Sequence, residues 1–208
     1  MGKIAIIDYG LANIMSVYNA ITCFGVDLFV AERGDQLHEA EKIILPGVGS
    51  FDAGIQGLKN RGHHEALMKL VREEGRPFLG ICLGLQFLFE GSAEGGGEGL
   101  CWFPGRCERF PSGESKPKVP HIGWSDVEIV QKKSRLFAEL LPPATFYFVH
   151  SYYAPFNETV RNIAAATCEH GIRFTAAIEH ENIFATQFHP EKSQLAGMKL
   201  LETFVEGI

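Results

Sequence analysis

Pro77-Phe78-Leu79-Gly80-Ile81-Cys82-Leu83-Gly84-Leu85-Gln86-Phe87 is an apolar run in which two glycines flank a cysteine at a spacing of two. Residues 77–81 are short and continuously apolar, the pattern of a parallel strand buried on both faces. Residues 83–89 read as the helix that follows it. The same alternation runs upstream. Residues 3–8 form a strand around Ile4-Ala5-Ile6-Ile7. Leu11, Ile14, Met15, Tyr18 and Ile21 recur at helical spacing up to a stop at Gly25. Strands follow over 26–31 and 42–45, and residues 51–74 carry helical periodicity with a break at Gly62. Strand and helix in turn predict an α/β fold with a flavodoxin-like, doubly wound, mainly parallel sheet. Beyond the glycine- and acid-rich stretch 91–99 the pattern changes. Strand-like runs over 100–110, 121–130, 146–153, 162–168, 174–179 and 182–188 are closely spaced, with a turn at Glu181-Asn182. They predict an antiparallel extension of the sheet. A last helix spans 193–204 with Ser193 as N-cap. No linker or repeat interrupts the chain, so residues 1–208 read as a single domain.

Glycine-x-cysteine-x-glycine where a strand meets a helix is the pattern of a nucleophile elbow, with Cys in place of Ser. The turn holds the nucleophile in a strained conformation above the carboxyl edge of the sheet, and the glycines let other backbone approach. The helix N-terminus favours an anion there. On its own such a cysteine is better explained as core. Phe188-His189-Pro190-Glu191-Lys192-Ser193 changes the balance. In extended backbone, residues two apart share a face. Glu191 is therefore placed to accept a hydrogen bond from one ring nitrogen of His189 while the other faces the thiol, a nucleophile–base–orienter set. Pro46-Gly47-Val48-Gly49-Ser50-Phe51 follows the third strand. In a doubly wound sheet the loops at the carboxyl ends of the strands build the site. Acyl transfer needs backbone donors where negative charge develops. The amides of Leu83 and of Val48 or Gly49 are candidates for that oxyanion hole; a plain turn before a helix is the alternative.

The bulk numbers are those of an ordinary globular chain: 208 residues, 46% hydrophobic, 21% charged and a formal net charge of −6. The charge and the lack of a Lys/Arg run argue against a nucleic-acid partner. No apolar stretch has the length of a membrane span, and the N-terminus lacks signal-peptide features, which places the chain in the cytoplasm. Five cysteines without a CxxC pair argue against disulfides and against a zinc site, so no metal is expected. Cys23, Cys101, Cys107 and Cys168 read as core or partly buried.

Together the segments around Cys82, His189 and Pro46 resemble the triad-type (class I) glutamine amidotransferases, in the order Cys then His-x-Glu. Further segments are similar to one branch of that family, the glutaminase subunits of imidazole glycerol phosphate synthases. They are Asp8-Tyr9-Gly10 with Asn13-Ile14, Pro120-His121-Ile122-Gly123-Trp124, and Tyr147-Phe148-Val149-His150-Ser151-Tyr152-Tyr153. The resemblance implies a glutaminase that works without a cofactor, with Cys82 as nucleophile, His189 as acid/base and Glu191 as orienter. It implies that Gly49, Gln86, Glu94, His150, Ser151 and Tyr152 hold the glutamine, Glu94 through its α-amino group. It implies a heterodimer with a (β/α)8-barrel cyclase that receives the ammonia in histidine biosynthesis, with Asn13, Trp124, Tyr147 and Lys192 at the interface or its gate. For Trp124 and Tyr147 ordinary core packing is the equal alternative. Leu11-Ala12 departs from the branch, where Pro-Gly is common. A paralogous glutaminase feeding another synthase, such as sugar amidation in surface polysaccharide assembly, would carry the same site. A stand-alone γ-glutamyl hydrolase and an inactive binding module are the remaining alternatives.

Overall fold

The computed structural model describes residues 2–11 and 13–208. The first half of the chain alternates as its sequence predicts: β1 (Ile4–Ile7), α1 (Ile14–Thr22), β2 (Leu28–Ala31), a 3-10 stretch over Gly34–Glu39, β3 (Lys42–Gly47), α2 (Phe51–Asn60), α3 (His63–Leu67), β4 (Phe78–Cys82) and α4 (Leu83–Gln86). The second half adds β5 (Phe89–Ser92), β6 (Phe103–Arg109), β7 (His121–Ile129), β8 (Ala144–His150), β9 (Tyr152–Pro155), β10 (Ala164–Glu169), β11 (Arg173–His180), β12 (Ile183–Thr186) and α5 (Gln194–Glu202).

The main sheet runs β2-β1-β3-β4-β12-β11-β10-β7-β8. Its first five strands are parallel neighbours, the 2-1-3-4-5 order of a flavodoxin-like sheet with β12 in the fifth place. From β12 onward every pairing is antiparallel. A side arm of β5, β6 and β9 joins through β9 on β11. Apart from Lys42 at the start of β3 and Thr186 at the end of β12, the parallel strands are apolar because both faces are covered. Ile4 and Ile6 pack into one hydrophobic cluster with Val17 and Ile21 of α1 and Leu200 and Leu201 of α5. Ala5 and Ile7 pack into the other, with Ile55 and Leu58 of α2 and Leu67 of α3. No described helix is long and apolar enough to cross a membrane.

Several elements depart from the sequence reading. The helix after Cys82 is a single turn, and Phe89 already belongs to β5. Residues 83–89 are all buried, so this apolar run offers no amphipathic period to separate helix from strand. The run 146–153 breaks at Ser151, where the chain leaves β8 on β7 for β9 on β6 and β11. In α1 Val17 and Ile21 are buried and Ile14 and Tyr18 half-buried against the same cluster, while Met15 is exposed and Leu11 precedes the helix. Cys107 and Cys168 are buried as expected, but Cys23 and Cys101 are exposed. Ser193 stands at the N-terminal boundary of α5 without capping it through its side chain. The departure at Ala12 lies outside the described residues.

Candidate active site

Strand register brings the site together. Gly47 of β3 lies opposite Cys82 of β4, and Thr186 of β12 opposite Ile81. The carboxyl ends of three parallel strands therefore stand side by side. Cys82 ends β4 with φ 56° and ψ −106°, a conformation that costs a non-glycine residue energy and is held only by its surroundings. The flanking glycines supply those surroundings. A Cβ on Gly84 would sit 2.1 Å from the Leu45 carbonyl oxygen, and one on Gly80 2.7 Å from the Gly84 carbonyl oxygen.

His189 follows β12 by three residues and is fixed through its backbone. Its N–H donates to the Tyr147 carbonyl at 2.9 Å. The Ser193 hydroxyl donates to the His189 carbonyl at 2.6 Å and accepts the Tyr147 N–H at 2.9 Å. Ser193 is thus spent on the His189 loop instead of on α5. His189 Nδ1 lies 2.8 Å from Glu191 Oε1, and both side chains are almost wholly buried. Burial alone would lower the pKa of His189. The charge of Cys82, and after it that of Glu191, outweighs burial and raises it to about 10. Nε2 has no well-formed hydrogen bond of its own and is the ring nitrogen left to act on the sulfur.

Above Cys82 opens a cavity of about 350 Å³, within the range of small-molecule sites. Val48, Gly49, Leu83, Gln86, Glu94, His150, Ser151, Tyr152, His189 and Lys192 all line it, with Pro120 and Val149. Gly49 has φ +94°, and the Leu83 amide, first of α4, has no intrahelical acceptor. Glu94 accepts the Phe51 N–H at 2.8 Å through one oxygen, which leaves the other to face a ligand. Gln86 commits both N–H groups, to the Tyr152 carbonyl at 3.0 Å and to Gln187 Oε1 at 3.1 Å, so its own oxygen is the atom left to a ligand. His150 serves as wall: Nδ1 lies 2.8 Å from the Tyr152 carbonyl and Nε2 3.2 Å from His121 Nδ1. Burial pushes its pKa down to about 3 and that of His121 down to about 4.

Val48 and Lys192, which line the cavity, are exposed, and so is Asn13. Trp124 is 47% exposed and meets the half-buried Tyr147 edge-on, with ring centroids 5.9 Å apart. Core packing is therefore not what Trp124 does. A small second cavity joins Asn13, Pro46 and Val48 to His189 and Glu191.

The sequence reading gave three residues near Cys82 and His189 no role there. Gln187 is fully buried with Nε2 3.7 Å from Cys82 Sγ. Ser193 holds the His189 loop. Tyr9 buries its hydroxyl without a hydrogen-bond partner, and a Cβ on Gly47 would sit 2.9 Å from it. Strand alternation marks such side chains as inward-facing and says nothing about their polar contacts.

The family model described as glutamine amidotransferase class-I matches residues 5–208. Among curated proteins, the chain is 46% identical to the imidazole glycerol phosphate synthase subunit HisH of Geobacter sulfurreducens, covering 99% of each chain. It is 46% identical to the subunit of the same name from Methanothermobacter thermautotrophicus, covering 98% of each. Among solved structures, a glutamine amidotransferase superposes with a TM-score of 0.73 at 18% identity, over 98% of this chain and 99% of that one. PurLQS from Thermotoga maritima superposes with a TM-score of 0.70 at 19% identity, over 100% and 99%. At that identity the structures speak for the fold alone.

Proposed function

The chain belongs to the class-I glutamine amidotransferases, and from that premise we propose that it is the glutaminase of an imidazole glycerol phosphate synthase. In this reading it acts as one amidotransferase domain and passes ammonia to a (β/α)8-barrel cyclase. Cys82, His189 and Glu191 form the triad. The buried His189–Glu191 pair at 2.8 Å beside a nucleophile in an elbow carries the assignment.

The cycle follows from the charges. With His189 protonated and Glu191 behind it, Cys82 attacks the side-chain amide carbon of glutamine as a thiolate. The oxygen that becomes negative is received by backbone N–H groups of Leu83 and of Val48 or Gly49. Imidazolium His189 gives its Nε2 proton to the amide nitrogen, which leaves as ammonia, and a γ-glutamyl thioester remains on Cys82. Neutral His189 then takes a proton from water, whose oxygen attacks the thioester carbonyl. Glutamate leaves, and the proton on His189 restores the starting pair. In the ground state the free Glu94 oxygen and Gln86 Oε1 accept from the α-ammonium group of glutamine. Asn13, Trp124, Tyr147 and Lys192 face the cyclase.

Glutamine turnover measured with and without the cyclase of the same source, together with co-purification of the two chains, tests the reading. It expects a stable heterodimer and turnover that rises when the cyclase carries its ligand. Full turnover by the isolated chain, with no complex formed, would favour a stand-alone hydrolase and overturn it.

A further inference from the structure

Gln187 stands immediately before Phe188-His189 and its side chain is fully buried. The hydrogen-bond network itself fixes which way its amide points. The Tyr152 carbonyl can only accept, and it already holds His150 Nδ1 at 2.8 Å. The Gln86 atom 3.0 Å from it must therefore be the amide nitrogen. The second hydrogen of that nitrogen points at Gln187, 3.1 Å away, so the Gln187 atom there must be the oxygen. This leaves the Gln187 nitrogen turned toward Cys82 Sγ at 3.7 Å, within reach of a sulfur acceptor. The orientation of one amide is thus fixed, through three links, by a backbone carbonyl that cannot flip.

We infer that Gln187 is a further catalytic residue of this site: its side-chain N–H donates to the Cys82 sulfur, favours the thiolate and aims it at the substrate carbon. Gln187 is fully buried, so on its side of the sulfur, away from the cavity, no water replaces a missing donor. A hydrogen bond to a charged acceptor in such a place is among the stronger ones. His189 and Gln187 then approach the sulfur from the same strand end, one as the proton carrier and the other as a donor that never gives up its proton. That division suits a nucleophile that must stay anionic while His189 is busy at the leaving nitrogen.

The inference rests on Cys82 being the nucleophile, so the test separates the two. In the full chain, the rate of Cys82 alkylation by iodoacetamide and the thiolate absorbance at 240 nm, taken as a difference from Cys82→Ser, are compared with Gln187→Met and Gln187→Glu. Gln187→Met keeps the volume and removes the donor. Gln187→Glu keeps the oxygen that anchors Gln86 and replaces the donor with a carboxylate oxygen. Both variants are expected to slow alkylation by roughly tenfold or more and to lower the absorbance at pH 9. Parental alkylation in Gln187→Glu would mean that Gln187 only anchors Gln86 and would overturn the inference. No alkylation of Cys82 in the unsubstituted chain would instead defeat the nucleophile assignment. Should neither variant fold, side-chain amide resonances of the 15N-glutamine-labelled chain give the answer. The Gln187 pair is expected to move with pH in the parent and to stay fixed in Cys82→Ser, and an unmoving pair in the parent would refute the contact.

Discussion

Glu191→Gln isolates the charge of the orienting residue. It keeps the shape and one oxygen for His189 Nδ1 and removes the negative charge held 2.8 Å away in a nearly dry pair. A hydrogen bond to a charged group is worth about 1.5–3 kcal/mol, and a buried one sits in the upper part of that range. At about 1.4 kcal/mol per pH unit this corresponds to a fall of roughly 1–2 units in the pKa of His189. In the parent that pKa is raised to about 10, so the imidazolium needed to expel ammonia persists through neutral and mildly alkaline pH. In Glu191→Gln the alkaline limb of kcat/KM for glutamine is expected to move down by roughly 1–2 pH units, so that above about pH 10 the rate is lower than the parent's by roughly 10–100-fold. The sign of the stability effect follows from the same shift. A histidine whose pKa is raised by folding stabilises fully below about 6.5, and that contribution disappears as pH climbs toward 10. Denaturant midpoints of Glu191→Gln are accordingly expected to lie below the parent at pH 6.5 and to converge with it near pH 10. An unmoved alkaline limb, with kcat within twofold of the parent, would refute the role given to Glu191.

Three further outcomes are expected. Gly84→Ala drives a methyl to 2.1 Å from the Leu45 carbonyl oxygen, so it is expected to destabilise the chain by about 3 kcal/mol or to prevent folding, as read from urea midpoints. Ser193→Ala removes the bonds to the His189 carbonyl and the Tyr147 N–H; a loss of about 1–3 kcal/mol in transition-state stabilisation is expected, seen mainly in kcat. His150 is held neutral, with its pKa pushed by burial to about 3. Between 6.5 and 3 the unfolded chain binds a proton that the native one refuses, so stability falls with acid by about 1.4 kcal/mol per pH unit from this residue. His150→Gln should flatten the acid limb of the unfolding curve.

The elements that the sequence reveals plainly are those whose pattern has one interpretation. β1, β3 and β4 are short apolar runs, and they occupy their predicted places. The turn at Cys82 and the pairing of His189 with Glu191 were legible because a glycine-flanked turn and a spacing of two along extended backbone constrain geometry directly. What lies between positions distant in sequence was not legible. Nothing local says that β12 docks beside β4, although that pairing is what sets His189 next to Cys82. Nor does any pattern reveal that the Ser193 hydroxyl turns back to His189 instead of capping α5, or that Gln187 reaches the sulfur. Residues 83–89 show the other limit, since a run buried on every side has no period to read.

Cys82→Ala tests the central claim most directly. In the assembled synthase, the variant is expected to lose glutamine-dependent product formation while ammonia supplied in solution still supports synthesis by the cyclase at near the parental rate. Substantial glutamine hydrolysis by Cys82→Ala would contradict the account.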